Sequence, residues 1–470
     1  MTDDPTTRDR RSRNPTPGTD LGGMFPRVFE KDYVTIVRGE GHTVWDADGN
    51  DYLDAISGNQ NVAIGHGVPE VAQAAKTQIE TLEYTSSMLF ANEPAQAFTA
   101  KIADFTPDGF EHTWLVSSGS EANESAVKMA RQYHVERGNE RKYKVISRRR
   151  SYHGNTGIAM ALSGFPARKS MMEPLYEDFP KAPSAAPYRC ELCGGEAGRD
   201  CGVRCADAVE RLIQDEGPEN VAAFIAEPVT GAANAAASPH DGYFERIREI
   251  CDEYDVLFIV DEVMTGFGRT GENFAIEHWD VTPDIITSAK GMSGGYSPIG
   301  ATMPHRRVSD VFEGLENGFM HGHTYCFNPT SAAIGLAVLE YIEDHDLVAN
   351  AREVGAYLGK RCEEFDEYEF VGDVRGKGLM RGLEFVADRV TKEPLAQTGS
   401  EFQSALFEAG LDNGILTYPS GSHVDGTRGD HTLITPPLTI DRGVVDELVE
   451  RMHATVTQVD RELSLSTALD

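Results

Sequence analysis

Two apolar runs, Val221-Ala-Ala-Phe-Ile-Ala226 and Val256-Leu-Phe-Ile-Val260, predict the architecture of this chain. Neither run alternates with polar residues, which is typical of strands that are buried on both faces of a sheet. A helical pattern at residues 243–254 separates them. Strands that follow one another through helices form parallel sheets covered by helices, so the two runs predict an α/β fold.

The same alternation extends on both sides of these runs. Further strands are predicted at 114–116, 144–146, 285–286 and 299–301, with helices at 121–136 and 205–215. Beyond residue 328, helices at 329–345, 347–365, 401–413 and 442–465 combine with strands at 371–385 and 433–440. This second pattern predicts a smaller α+β domain.

The composition excludes several classes of partner. The 470 residues include 43 Lys and Arg against 75 Asp and Glu, a formal net charge of −32. Such an acidic chain is not expected to bind nucleic acid or an anionic membrane. It has no apolar run long enough for a membrane span and no apolar secretory signal, so we expect a cytoplasmic protein. The 12 Lys against 31 Arg, among so many carboxylates, also suggest adaptation to high salt.

Ligands of open α/β sheets bind at the carboxyl ends of the strands, where this chain has polar residues. Gly119 and Ser120 open a helix after a strand, so their backbone N–H groups suit a phosphate, although Ser120 also suits a helix N-cap. Tyr152, near the end of the next strand, suits stacking on a planar ligand or ordinary packing.

Carboxylates and a lysine follow the remaining strands. Asp261 needs a cationic or donor partner after so apolar a strand, and Arg269 is one candidate. Glu227 follows the strand before it, and Lys290 ends a later one. Lys290 is either an exposed loop lysine or, if burial lowers its pKa, an amine nucleophile. An amine, an anion, an aromatic platform and a phosphate site are together what pyridoxal phosphate requires.

Longer segments follow the motifs of a known family. The chain resembles the class III pyridoxal-phosphate-dependent aminotransferases, the ω-amino acid and ornithine aminotransferase group of fold type I, over about residues 25–451. The matching segments are Ser118-Gly-Ser-Glu-Ala-Asn-Glu124, Tyr152-His-Gly154, Glu227-Pro228, Asp261-Glu-Val-Met-Thr-Gly-Phe-Gly-Arg-Thr-Gly271, Ser288-Ala-Lys-Gly291, His323-Thr324 with Asn328-Pro329, and Arg375-Gly-Lys-Gly378. The resemblance implies a large domain with a mostly parallel seven-stranded sheet flanked by helices, and a smaller α+β domain.

The resemblance implies these domain bounds. An arm of acidic and basic residues at 1–24 is expected to be disordered, and residues 25–70 are expected to join the small domain. Residues 71–327 would form the large pyridoxal-phosphate-binding domain, with a cysteine-containing insertion at 183–205. Residues 328–470 would form the C-terminal small domain.

The resemblance also implies catalytic roles. Lys290 corresponds to the lysine that forms the internal aldimine and carries the 1,3-proton transfer. Asp261 corresponds to the partner of the pyridine nitrogen. Tyr152 and Val263 would lie against opposite faces of the cofactor ring, and Glu227 would lie near its phenolic oxygen.

Other positions would hold the phosphate and complete the site. Gly119 and Ser120 resemble the phosphate cup, and His153 is expected beside the cofactor. Thr324 resembles a phosphate ligand that members of the family donate from the neighbouring subunit. The resemblance therefore implies a homodimer with shared active sites.

Three residues are candidates for binding the substrate. Arg428 resembles the family's mobile arginine that binds a substrate carboxylate, and the alternative is a surface arginine paired with Asp425 or Asp430. Asn59 and Gln60 lie where members of the family line the substrate pocket. Their polar side chains suggest a small polar amine donor.

The expected activity is transfer of an amino group from an amino acid or ω-amine to a 2-oxo acid, pyruvate or 2-oxoglutarate. The resemblance implies a ping-pong mechanism through the Lys290 aldimine. An isomerase of the same fold, such as an aminomutase or racemase, is the alternative. No metal is expected in the active site.

Four of the seven cysteines, Cys190, Cys193, Cys201 and Cys205, lie in one short window. An odd total in a chain expected to be cytoplasmic argues against a disulfide framework. The CxxC pair resembles half of a zinc site, but a CxxxC pair follows it after a short spacer. We expect reduced cysteines in an insertion, with a structural zinc ion as the alternative.

Overall fold

The computed structural model describes residues 21–29, 31–194, 200–396 and 399–466. Most of the arm predicted at 1–24 lies outside these ranges. The strands are β1 (Ile36–Glu40), β2 (Thr43–Asp46), β3 (Asp51–Asp54), β4 (Trp114–Val116), β5 (Lys144–Arg148), β6 (Lys181–Ala182), β7 (Val221–Ala226), β8 (Leu257–Asp261), β9 (Ile285–Ser288), β10 (Gly300–Pro304), β11 (Val371–Lys377), β12 (Met380–Phe385), β13 (Ile415–Leu416), β14 (Tyr418–Gly421) and β15 (Asp430–Ile434).

The α-helices alternate with these strands along the chain. They are α1 (Ser57–Gln60), α2 (Pro69–Thr81), α3 (Glu93–Phe105), α4 (Gly119–Glu136), α5 (Gly157–Leu162), α6 (Pro166–Lys169), α7 (Cys201–Glu216), α8 (Tyr243–Glu253), α9 (Arg306–Ser309), α10 (Pro329–Asp344), α11 (Leu347–Cys362), α12 (Gly399–Asp412) and α13 (Arg442–Leu463). None of the helices in the described ranges combines the length and the apolar character that a membrane span needs.

The large sheet has seven strands in the order β4-β10-β9-β8-β7-β5-β6. Strands β9, β8, β7, β5 and β6 run parallel to one another, and β10 is antiparallel to both of its neighbours. This confirms the predicted mostly parallel seven-stranded sheet.

Helices cover both faces of the large sheet because its central strands are apolar throughout. Every residue of β7 and β8 is buried. Phe224 and Phe258 belong to the same apolar cluster as Val209 of α7 and Ile247 of α8. The alternate residues of these strands, such as Ile225, pack with α4 on the opposite face. Because successive side chains of a strand point to opposite faces of the sheet, β7 and β8 contribute to two separate cores.

Two smaller sheets have the orders β1-β2-β3-β13 and β11-β12-β15-β14. Strand β13 pairs in parallel with β3, which connects the N-terminal segment to the C-terminal part of the chain. The second sheet is antiparallel throughout. The predicted domain bounds stay predictions.

Local differences from the predicted elements have simple causes. Residues 371–385 form two strands, β11 and β12, that pair as a hairpin. The strand predicted at 433–440 is wrong, because β15 ends at Ile434. Pro436 and Pro437 follow directly, and proline has no N–H group to continue a ladder. Strand β6 is only two residues long, too short for an apolar pattern.

Candidate active site

The parallel strands bring their carboxyl ends, and the residues that follow them, to one edge of the sheet. Glu227 comes directly after β7, Asp261 is the last residue of β8, and Lys290 follows β9 by two residues. The charges of Asp261 and Glu227 both act on the Lys290 amine. Three side chains predicted separately from the sequence therefore lie close together.

Lys290 is not an exposed loop lysine, which was one of the two alternatives predicted from the sequence. Burial lowers its pKa from 10.5 to about 8, even though the carboxylates of Asp261 and Glu227 act in the opposite direction. Its backbone φ is 44°, a left-handed conformation that is costly for a residue with a side chain. Its Nζ atom lies 3.4 Å from Oε1 of Gln60, which is a long hydrogen bond. The amine is thus held in a strained turn with little to bind it.

Asp261 is fixed in place by hydrogen bonds to both of its carboxylate oxygens. Its Oδ2 atom accepts from Nδ1 of His153 at 2.7 Å and from Nδ2 of Asn123 at 2.8 Å. Its Oδ1 atom accepts from the backbone N–H of Val263 at 3.0 Å. Arg269, the partner considered from the sequence, instead donates to the main-chain carbonyls of Leu379 and Pro436. Asp261 is 3% exposed, so it presents an orientated anion inside the protein.

Asn123 is a site residue that the sequence interpretation missed. Its amide donates to Asp261 and to the carbonyl of His153, and its carbonyl accepts from the Thr287 hydroxyl at 2.7 Å. The available signal was its position in the first turns of α4, inside the segment 118–124 that carries the resemblance.

Tyr152 and Glu227 are joined by a hydrogen bond. The backbone N–H of Tyr152 donates to Oε1 of Glu227 at 3.0 Å, and the N–H of Gly231 donates to Oε2 at 2.9 Å. Burial raises the pKa of Glu227. The guanidinium of Arg168, an exposed residue of α6, lies 5.6 Å from the centre of the Tyr152 ring. Arg168 was also missed from the sequence, because it belongs to none of the matching motifs.

Helix α4 begins at the proposed phosphate cup. Its N-cap is Ser118, whose hydroxyl accepts from the N–H of Glu121 at 3.2 Å, so Ser120 is not the cap. The Ser120 hydroxyl accepts from the N–H of Asn155 at 3.2 Å. A Cβ atom on Gly119 would lie 2.7 Å from the Val263 side chain, so only glycine allows Val263 to lie against the start of the helix.

The remaining predicted residues lie at the surface or beside the lysine. Gln60 is buried next to Lys290, whereas Asn59 is exposed. Arg428 is 54% exposed and pairs with Asp425 and Glu393, at 2.7 Å in each case. In this conformation Arg428 makes the surface pair that the sequence left as the alternative to substrate binding.

Thr324 is exposed in a loop that contacts another surface segment. Its carbonyl accepts from the Tyr84 hydroxyl at 3.0 Å, and the rings of Tyr84 and Tyr325 lie 6.0 Å apart. Exposed apolar side chains lie within a few residues of Tyr84 or Thr324 along the chain. They are Met88, Leu89, Phe90, Met320 and Tyr325, each more than half exposed.

These residues fit pyridoxal phosphate. The site contains a weakly bound amine, a buried carboxylate and an aromatic residue, and the first turn of α4 binds the nearby backbone N–H of Asn155. Nε2 of Gln60, beside Lys290, is buried without a hydrogen-bond partner among the described residues. Buried donors in proteins normally have a hydrogen-bond acceptor, and a ligand bound beside Lys290 would supply one to this amide.

Comparisons with known proteins agree with this geometry. Residues 26–456 match the family model "Aminotransferase class-III". The chain is 38% identical over 432 residues to the uncharacterized aminotransferase YodT of Bacillus subtilis, which covers 92% of this chain and 96% of the relative. It is 36% identical over 434 residues to the putrescine–pyruvate aminotransferase of Pseudomonas aeruginosa, covering 90% of this chain and 91% of that protein.

A solved structure with the same fold is the thermostable (S)-enantioselective omega-transaminase from Thermomicrobium roseum. The TM-score is 0.86 at 35% sequence identity, and the alignment covers 93% of this chain and 96% of that chain.

Proposed function

Because the chain belongs to the class III aminotransferases, a family of pyridoxal-phosphate-dependent transaminases, we propose that it catalyses amino transfer by a ping-pong mechanism. The donor is an amino acid or ω-amine, and the acceptor is a 2-oxo acid, pyruvate or 2-oxoglutarate. The observation that carries this proposal is the Lys290 amine, whose pKa is lowered to about 8 beside the fixed anion of Asp261.

Pyridoxal phosphate, when bound, supplies an aldehyde that takes up the amino group and a ring that accepts electron density. The residues that would hold it are those at the edge of the sheet. Asp261 would keep the pyridine nitrogen protonated, while Tyr152 and Val263 would enclose the ring. The N-terminus of α4, at Gly119 and Ser120, would bind the phosphate through backbone N–H groups and the helix dipole.

Lys290 would act as the base that removes the proton from the substrate carbon that carries the amino group. An amine with a pKa of about 8 is close to neutrality, where a group can both accept and return a proton. The long contact with Gln60 leaves Nζ available for this role. Glu227, whose pKa is raised by burial, would sit beside the cofactor and hold the Tyr152 backbone in place.

His153 and Asn123 would be positioning residues, since they act through Asp261. Each donates a hydrogen bond to the same carboxylate oxygen. Two hydrogen bonds to one oxygen fix the orientation of the carboxylate, so the pair would keep it directed at the pyridine nitrogen.

We propose that the functional unit is a homodimer in which Thr324 binds the phosphate of the neighbouring site. Support comes from exposed apolar side chains in the segment after Tyr84, the residue that binds the Thr324 carbonyl; Met88 is 90% and Leu89 75% exposed. An exposed apolar patch of this kind is typical of a surface that a partner covers.

For the substrate carboxylate we propose Arg428, with Gln60 and Asn59 lining the pocket. Arg428 makes its ion pairs at the surface, where water screens the charges and the pairs contribute little free energy. Arg428 could therefore leave these partners and bind a substrate carboxylate at a small cost in free energy. Arg168 is a second cationic group near the site, because its charge contributes to the lowered pKa of Lys290.

The proposal is tested with purified protein, a panel of amines that includes putrescine, and either pyruvate or 2-oxoglutarate. Multiple turnovers are expected only when amine and oxo acid are both present. Donor alone should convert at most about one equivalent per active site, because the enzyme keeps the amino group in ping-pong transfer. Sustained conversion of an amine without any oxo acid would instead establish an isomerase.

A further inference from the structure

The four clustered cysteines of the insertion lie on two adjoining pieces of chain. Cys190 and Cys193 belong to a turn at 188–194, and Cys201 and Cys205 lie in the first turns of α7. Residues four apart on a helix share one face, so the two α7 sulfurs point toward the same neighbour. The seven-residue spacer is short, but α7 begins at Cys201 and brings both pairs together. None of the four residues belongs to the undescribed segment 195–199.

The sulfurs of Cys190, Cys201 and Cys205 are spaced as in a tetrahedral metal site, and the sulfur of Cys193 lies beside that of Cys201. The Sγ atom of Cys190 lies 3.7 Å from those of both Cys201 and Cys205, and all three sulfurs lie within 4.8 Å of one another. The Sγ atom of Cys193 lies 3.3 Å from that of Cys201. Four sulfurs placed about 2.3 Å from one zinc ion in a tetrahedron are separated by about 3.8 Å.

These separations do not correspond to disulfides, in which the sulfurs are about 2.05 Å apart. All seven cysteines of the chain are free thiols in the structure. Ordinary packing is also a poor explanation, since thiols have no reason to collect in one place within so large an apolar core. Cys190, Cys201 and Cys205 are each at most 5% exposed, so their convergence is inside the protein.

We propose that Cys190, Cys193, Cys201 and Cys205 bind one structural Zn²⁺ ion. Four thiolates leave no open coordination position, which is typical of structural sites. A tetrahedral set of four sulfurs favours zinc, with iron as the other metal of similar preference. As each sulfur binds the metal, its thiol loses a proton to solvent.

The site would anchor the insertion to the body of the protein. Arg189, directly before the first ligand, forms an ion pair with the buried Glu384 on β12. Glu384 also binds Arg375 at 2.7 Å and His423 at 3.0 Å. The ion would hold the turn at 188–194 against α7, and so keep Arg189 in this buried charge network.

The test begins with the metal content of the whole enzyme, purified without chelators from cells supplied with zinc. We expect about one zinc ion per chain by mass spectrometry of the elements. Cobalt replacing zinc should give the red-region absorption of tetrahedral thiolate coordination, which the cofactor does not obscure. Less than about a tenth of an ion per chain, together with no uptake of Zn²⁺ on titration, would overturn the proposal.

Two cysteine variants, one inside the cluster and one outside it, test whether these four thiols bind the zinc ion. Cys193→Ser changes the least buried of the four ligands and should lower zinc content by more than about half. Cys251→Ala removes a thiol that is 1% exposed in α8 but outside the cluster, and it should retain the full zinc content. Equal zinc content in the two variants, a disulfide between two of the four cysteines, or iron with acid-labile sulfide would each contradict the assignment.

Discussion

Nδ1 of His153 lies 2.7 Å from Oδ2 of Asp261, and both side chains are buried. The imidazole therefore donates to the carboxylate, while Asn123 donates to the same oxygen from α4. Two N–H donors on one oxygen fix the orientation of the carboxyl group. The carboxylate at the end of β8 is thus held in place by residues from outside that strand.

We expect Asp261→Asn to lower kcat by about three orders of magnitude, since the amide is isosteric but has no charge to stabilise a protonated ring nitrogen. His153→Phe should lower kcat by about ten- to a hundredfold, because it removes one donor and leaves the anion. Steady-state kinetics and the cofactor's absorption spectrum measure both effects. A loss in Asp261→Asn no larger than that in His153→Phe would contradict the assigned roles.

The pKa of Lys290 predicts how the cofactor-free protein responds to pH. Its ammonium is disfavoured by burial, so the amine becomes neutral near pH 8 rather than near its ordinary 10.5. The rate at which the apoprotein captures pyridoxal phosphate should rise with pH, with a midpoint near pH 8. Stopped-flow absorbance checks this, and a midpoint near 10.5 would show that the amine is solvated.

The lowered pKa of Lys290 also affects the stability of the apoprotein. Between about pH 8 and 10.5 the unfolded chain binds the lysine proton and the folded chain does not, so Lys290 makes the apoprotein's stability rise with pH in that window. Replacing Lys290 by Met should remove this contribution. Denaturant unfolding of both apoproteins across the window measures the difference in slope.

The surface around Thr324 should determine the assembly. Leu89→Arg places a charge on the proposed dimer face and should give monomers with little activity. Val390→Arg, at a site 89% exposed elsewhere, is the matched control and should stay dimeric. Light scattering during size-exclusion chromatography gives the masses.

Thr324→Ala separates assembly from cofactor binding. This variant should remain dimeric but bind pyridoxal phosphate about tenfold more weakly, as expected for one lost hydrogen bond to a charged group. Unchanged cofactor affinity in a dimeric Thr324→Ala protein would argue against the shared site.

Arg428→Ala should raise KM for a carboxylate acceptor by about ten- to a hundredfold, which corresponds to the loss of charge-assisted hydrogen bonds. The half-reaction with an amine that has no carboxylate should be unaffected. Arg389→Ala, at another exposed arginine, is the control. If Arg168→Ala produces the acceptor defect and Arg428→Ala does not, the substrate arginine is the one on α6.

Much of this fold is predictable because it rests on local patterns. The apolar runs at β7 and β8 specify buried strands, and the parallel order then places Asp261 and Lys290 at one edge. The sequence does not specify which side chains support them. Asn123 reaches Asp261 across 138 positions of the chain, and this contact depends on how α4 packs on the sheet.

The cysteine cluster likewise depends on the fold. The spacing of the cysteines is irregular, and it is the start of α7 at Cys201 that brings Cys201 and Cys205 to the sulfur of Cys190, with Cys193 beside Cys201. The backbone strain at Lys290 likewise belongs to the folded turn and has no signature in the sequence.

Lys290 is the residue proposed to carry the amino-transfer chemistry. The most direct measurement is to reduce the holoenzyme with borohydride, digest it and identify the peptide that retains the cofactor by mass spectrometry. We expect a pyridoxyl group on Lys290 and on no other lysine, and no turnover by Lys290→Ala. A modified peptide that contains a different lysine, from enzyme that was active before reduction, would contradict the role of Lys290.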